Sequence, residues 1–294
     1  MLTIFAVPKP FEGHIASIQR NAIRSWTRLD SACQVIICGD EAGCREVASE
    51  FDLEHIPDVQ RNRFGTPLLS SVFRRVDEQA THGRLCYFNS DLVVFPDFLD
   101  AVRRVVAACT RFLIVGETTN LGVAEEVADD GDLQALRLRA LASGTVRGRD
   151  WIDFFVFPRG AIGTLPDFAV GRPYWDNWMI WRARSLRMPV VDVSPSTVVV
   201  HQDHGYGHVK LATAHRWEGP EAEWNYGLVG GRELARFSLA EATHRLTKTS
   251  LVRNDPGGFM HRVGTELLLH RRAIPMYRVL RATYGQTRRA LSRD

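Results

Sequence analysis

The chain has 294 residues, 45% hydrophobic and 24% charged, proportions that exclude wholesale disorder and suit one large α/β domain with additions. A formal net charge of +3 does not by itself point to nucleic acid as a partner, and none is expected; no apolar run approaches the roughly 18–20 residues needed to span a bilayer. Cys33, Cys38, Cys44, Cys86 and Cys109 are odd in number and lack a close metal-type pair, so they read as reduced thiols of a cytoplasmic protein.

Residues 2–7 read as an apolar first strand rather than a signal peptide, since no basic segment precedes them and Pro8 and Pro10 interrupt the run. Ile15, Ile18, Ala22, Trp26 and Leu29 then recur every three to four residues, which places them on one helical face. A second strand over 34–38 closes at Gly39-Asp40, a short helix covers 43–51, and 53–56 adds an edge strand before a polar loop at 57–65. Pro67 suits a first helical turn ahead of Leu68, Leu69, Val72, Phe73 and Val76. Strands over 84–95 and 112–115 and a helix over 129–142 continue the alternation, while 143–149 reads as a mobile basic loop. Strands separated by helices imply a mainly parallel sheet with right-handed crossovers.

Within 84–95 the triplet Asn89-Ser90-Asp91 interrupts a strand that otherwise reads as buried. An ionised carboxylate there is costly unless a cation or strong donors replace its water. At the carboxyl end of a parallel strand, where open α/β sheets bind ligands, a divalent metal holding a diphosphate would do so. The alternative is that Asp91 caps the next turn or helix. Three later segments set carboxylates and imidazoles among aromatic residues and glycines, the composition of a ligand-binding wall: 150–157 with Asp153, 171–178 with Trp175-Asp176-Asn177-Trp178, and 198–208. His201, His204 and His208 have a spacing that would suit zinc on a helix, against which Gly205 and Gly207 argue. Arg61 and Arg63 precede the Gly65-Thr66-Pro67 turn and either reach phosphates or stay solvated.

The order strand, Asn-Ser-Asp, buried strand, aromatic-flanked Asp, strand ending in His resembles nucleotide-sugar glycosyltransferases of the GT-A fold. Phe64–Leu69, Asp153–Gly160 and 201–208 also resemble bacterial proteins of glycosyltransferase type. The resemblance implies a three-layer αβα sandwich over residues 1–230, with 1–115 as its nucleotide-binding half and 116–230 as its acceptor and metal half. Residues 231–294 lie outside it as a basic helical extension. Asn89-Ser90-Asp91 takes the place of the Asp-X-Asp motif, and His201 resembles the metal-binding histidine of galactosyltransferases of the family 7 kind. The implied cofactor is Mn²⁺ or Mg²⁺ on Asp91 and His201, with His204 or His208 on the diphosphate of a UDP- or GDP-sugar and Asp40 on the uracil or ribose.

Two departures from the family pattern matter. Asn89 supplies a neutral oxygen, suited to a ribose hydroxyl or a metal-bound water, where the family often has a carboxylate. Trp-Asp-Asn supplies one acid, so Asp176 is the expected general base of an inverting transfer, with Trp175 and Trp178 as sugar-stacking faces; a helix N-cap is the alternative for Asp176. Asp153 either contacts a sugar or faces solvent.

In the tail, Arg262, Arg271, Arg272, Arg278, Arg281, Arg288, Arg289 and Arg293 face only Glu266 and Asp294 and alternate with apolar residues. That pattern reads as a hairpin packed on the catalytic domain with a solvated basic face, or as a peripheral contact of 261–294 with an anionic inner-membrane surface if the acceptor is a lipid-linked glycan. A nucleotidyltransferase is disfavoured because Val7-Pro8-Lys9-Pro10 lacks a glycine-rich phosphate loop. A metal-dependent hydrolase and a non-catalytic nucleotide-sugar-binding protein are the competing functions.

Overall fold

The computed structural model describes residues 1–204, 218–254 and 257–291, with side chains as far as Thr283. The first half follows the predicted alternation: β1 (Thr3–Ala6), α1 (Gly13–Thr27), β2 (Gln34–Cys38), α2 (Cys44–Glu50), β3 (Glu54–Ile56), α3 (Leu69–Gln79) and β4 (Arg84–Phe88). Next come β5 (Leu92–Val94), α4 (Pro96–Ala108), β6 (Leu113–Val115), β7 (Thr119–Leu121), α5 (Asp130–Ser143), β8 (Thr145–Val146) and β9 (Phe154–Pro158). The remainder comprises α6 (Trp175–Ser185), β10 (Val190–Asp192), β11 (Val199–Gln202), α7 (Pro220–Val229), β12 (His244–Leu246), β13 (Leu251–Arg253), α8 (Phe259–Leu269) and α9 (Ile274–Leu291).

Nine strands form one sheet in the order β13-β12-β10-β6-β9-β4-β1-β2-β3. Pairing is parallel through β4-β1-β2-β3 and through β12-β10-β6, and β9 runs antiparallel between the two blocks. Because side chains alternate across a strand, each strand feeds two cores. Phe5, Leu85, Tyr87, Phe155 and Phe157 pack with α3 and α6, while Ile4, Ala6, Cys86, Phe88, Phe154 and Val156 pack with α1, α2 and α4. The result is the expected three-layer αβα sandwich with a mainly parallel sheet. Trp26, fully buried on α1, stacks on Phe88 at 5.5 Å and donates its indole N–H to Leu92 O at 2.9 Å, so one side chain both fills the core and fixes where β5 leaves it.

Four details differ from the sequence reading. The strand expected over 84–95 breaks at Asn89: β4 belongs to the large sheet and β5 to a second, four-stranded sheet, β5-β11-β7-β8. Pro67 bridges Arg61 ahead of the helix, whose N-cap is Leu68, so it does not occupy a helical turn. Residues 143–149 are not a free loop, since β8 pairs with β7 and Arg147 is buried. The segment past 230 is helical only in its later part, because β12 and β13 first extend the large sheet.

Helix α5 opens with a reciprocal cap: Asp129 Oδ1 accepts from Asp132 N at 2.9 Å, and Asp132 Oδ2 accepts from Ala128 N at 2.8 Å and Asp129 N at 3.3 Å. Replacing Asp129 by Ala is expected to cost about 1 kcal/mol, lowering the urea midpoint without altering the m-value. An unchanged midpoint would show that the cap contributes nothing to global stability.

Candidate metal centre

The sheet register puts the ends of β1, β2 and β4 level, since Ala6 lies beside Ile37 and Phe5 beside Tyr87. The chain leaves β1 toward β2 and β3, then returns to its other side with β4, so the crevice beyond these ends is a topological switch point. Asn89-Ser90-Asp91 forms the turn that leaves β4 at this crevice, with Leu92 N donating to Asn89 O at 3.2 Å.

In the small sheet, β11 pairs antiparallel to β5 with His201 opposite Leu92, which delivers the end of β11 to Asp91. His204 Nε2 lies 2.9 Å and His201 Nε2 3.5 Å from Asp91 Oδ2. Both histidines are buried. Gln202 holds the same backbone: its N–H and its side-chain Nε2 donate to Asp91 O at 3.3 and 3.1 Å, while Asn21 Nδ2 donates to Gln202 Oε1 at 3.1 Å. Burial works to raise the Asp91 carboxyl, but the hydrogen bonds and charges of His201 and His204 outweigh it and hold the group far below the usual carboxylate range.

Asp91, His201 and His204 form, among the described residues, the one cluster of at least three carboxylate, imidazole or thiol side chains with potential ligand atoms all within 4.8 Å of one another. Asp91 Oδ1 and His201 Nδ1 are buried with no hydrogen-bond partner among the described residues. A buried carboxylate oxygen in that state calls for a cation, and one carboxylate with two imidazoles suits a divalent ion. His204, read from the sequence as a diphosphate contact, thus joins the cluster directly. His208 lies outside the described residues.

Asn89 turns inward. Its N–H donates to Asp153 O and its Nδ2 to Asp153 Oδ1, each at 2.9 Å. Asp153 Oδ2 accepts from Thr118 Oγ1 at 2.8 Å and pairs with Arg147 Nη1 at 2.6 Å, with both side chains of the ion pair 6% exposed. Arg147 also lies over the Trp151 ring at 4.4 Å. Asp153 is therefore engaged by three internal partners, and through Asn89 it locks the turn that carries Asp91.

Trp175 and Trp178, read as sugar-stacking faces, are core residues. Trp175 packs on Tyr87 and Phe155 with ring centroids 4.9 and 5.2 Å away, and Trp178 packs on Phe168 at 5.7 Å. Asp176 is not the N-cap of α6; that position is Tyr174, at φ 82°, and Asp176 sits in the first turn, where a negative charge complements the helix dipole. Burial raises the Tyr87 phenol far above its ordinary value, and the nearby charges of Asp91, Asp153 and Asp176 push it further.

Asp40 lies exposed at the end of β2 and pairs with Arg61, which also bonds Glu41 Oε1 at 2.9 Å and donates to Gly65 O at 2.7 Å. The two residues assigned to nucleotide and phosphate therefore bind each other at the crevice rim. Tyr87, Thr118, Arg147 and Gln202 had no signal in the sequence beyond proximity to a motif.

No family model matches the chain, and no curated protein matches it in sequence. Solved structures do. TarS residues 1–349 from S. aureus, in complex with UDP-GlcNAc, superposes with a TM-score of 0.50 at 8% identity, over 91% of this chain and 70% of that one. GalNAc-T7, solved with UDP, GalNAc and Mn²⁺, gives 0.51 at 12% identity over 77% of this chain, which spans 47% of that protein. This likeness establishes the GT-A fold.

The Asp153–Arg147 pair permits a direct check. Breaking a buried ion pair from one side costs about 3–5 kcal/mol, so Arg147→Met should lower the stability measured by urea unfolding on that scale. A loss under about 1 kcal/mol would mean that the pair does not hold the turn.

Proposed function

We propose that the chain transfers a sugar from a UDP- or GDP-sugar to a hydroxyl of a glycan or lipid-linked acceptor, in cytoplasmic synthesis of a bacterial surface polysaccharide or glycoconjugate. The observation that carries this reading is the Asp91–His201–His204 cluster at the switch point of a GT-A sheet. The likeness to structures holding UDP-GlcNAc, or UDP with Mn²⁺, supports the donor class.

Asp91, His201 and His204 would hold the divalent ion. When bound, it neutralises the diphosphate that leaves with the nucleotide. Two imidazoles beside one carboxylate favour Mn²⁺ over Mg²⁺, since Mg²⁺ is a hard ion that prefers oxygen donors and keeps its water. Arg61 and Asp40 must part for either to meet the donor. Asp176, in the first turn of α6, takes the proton from the acceptor hydroxyl as its oxygen bonds the anomeric carbon and the bond to the diphosphate breaks, with inversion at that carbon.

Asp91→Ala, His201→Ala and His204→Ala should each abolish Mn²⁺-dependent UDP or GDP binding, measured calorimetrically, in a chain that still unfolds cooperatively. A variant that binds as well as the parent does not carry a ligand residue. Activity lost to a chelator should return with Mn²⁺ at lower concentration than with Mg²⁺.

Asp176→Asn should keep donor affinity and lose transfer by roughly 10²–10⁴-fold, the range for a positioned general base. Unchanged turnover would remove Asp176 from the mechanism. Free sugar released without an acceptor would favour the hydrolase reading, and binding without turnover on any acceptor the non-catalytic one.

A further inference from the structure

Helices α8 and α9 pack against each other through Gly264 and Tyr277, where a Cβ on the glycine would come within 3.2 Å of the tyrosine ring. Between the start of α8 and the middle of α9 lies an open groove of about 490 Å³, with Tyr277, Leu280, Phe259 and Met260 as its apolar lining and Arg236 and Arg281 among its polar residues. Phe259 is 69% exposed, Met276 63% and Val279 67%. Met276 and Val279 are three positions apart on α9 and so share one helical face. Phe259 protrudes at the groove, and Met276 and Val279 form an exposed apolar pair on α9; apolar side chains so exposed are unfavourable in water and mark an interaction surface.

The charge around them is mainly positive. From 257 to 283 the sequence holds five arginines and a single acid, Glu266, which pairs with Arg187 at 2.6 Å. Arg278 is matched by Glu233 at 2.7 Å, and Arg271 lies over Trp181 at 4.8 Å. Arg272 and Arg281 are exposed, Arg281 lining the groove with Phe259 and Arg272 lying four positions before Met276. Long cationic side chains flanking protruding Phe, Met and Val complement one chemistry in particular: anionic headgroups above an acyl interior.

We propose that the α8–α9 hairpin docks on an anionic lipid bilayer, with Phe259, Met276 and Val279 entering the interface and Arg272 and Arg281 meeting the headgroups. The hairpin is tied to the site by α6, whose Trp181 Nε1 donates to Leu268 O of α8 at 2.9 Å. Asp176 lies five residues earlier on α6, about 8 Å along its axis. Resting on the function proposed above, this geometry would hold the base near a hydroxyl presented from the membrane surface; the docking itself does not depend on that function.

The full chain should co-sediment with vesicles of phosphatidylcholine mixed with phosphatidylglycerol, far less with phosphatidylcholine alone, and progressively less as salt rises. Arg272→Glu combined with Arg281→Glu, and separately Phe259→Ser with Met276→Ser and Val279→Ser, should each weaken binding by roughly tenfold or more. Thermal midpoints close to the parent's would show that the variants fold. Equal partitioning of the parent to both vesicle types, absence of pelleting, or undiminished binding by folded variants overturns the proposal. Self-association through the hairpin in lipid-free sedimentation, with no vesicle binding, would overturn it in favour of a protein contact. Mn²⁺-dependent nucleotide binding, measured on the same preparations, reports on the metal site independently of the vesicle result.

Discussion

The antiparallel pairing of β5 with β11 is the constraint on which the site depends. It sets His201 opposite Leu92 and so brings Asp91 to His204, residues 113 positions apart. A register slip of one residue would turn every side chain of β11 to the other face and carry His201 away. The register is held from outside the sheet as well: Trp26 bonds Leu92 O, and Gln202, buried and anchored by Asn21, bonds Asp91 O. Core packing and the geometry of the Asp91–His201–His204 cluster therefore share the same few hydrogen bonds.

A second constraint acts on the other side of the turn. Asn89 takes the first place of the Asp-X-Asp pattern that the sequence resembles, and its side chain binds Asp153. The negative charge on this side of the turn is that of Asp153, and Arg147 neutralises it in the interior. Asp91 is then the carboxylate of the turn that faces the histidines. One carboxylate and two imidazoles make up that cluster, and Asn89 is not part of it.

The arginine at the crevice rim is engaged from within the protein. Arg61 bonds Asp40, Glu41 and the Gly65 carbonyl at once, so its charge is matched internally. Glu221 ties the adjacent loop down by accepting from Asn62 at 2.7 Å and from Arg172 at 2.6 Å. The rim is thus built from charge pairs that exchange partners at modest cost because they are partly solvated, whereas the Asp91 cluster is buried and cannot exchange partners so easily.

Periodicity in the sequence determined the strands and helices of the first half, because alternation at two and at three to four residues is a local property of the backbone. It also singled out Asp91, since a carboxylate at the end of an apolar strand is anomalous wherever the strand lies. Local pattern did not reach further. Trp175 and Trp178 lie three apart, and with Trp181 after them apolar spacing looks alike whether a helix faces a sugar or a core; only the docking of α6 on β4 and β9 decided for the core. His204 and the Arg147–Asp153 pair joined the cluster and its turn through strand order and register, which arise from contacts between distant segments and leave no trace in the spacing of neighbouring residues.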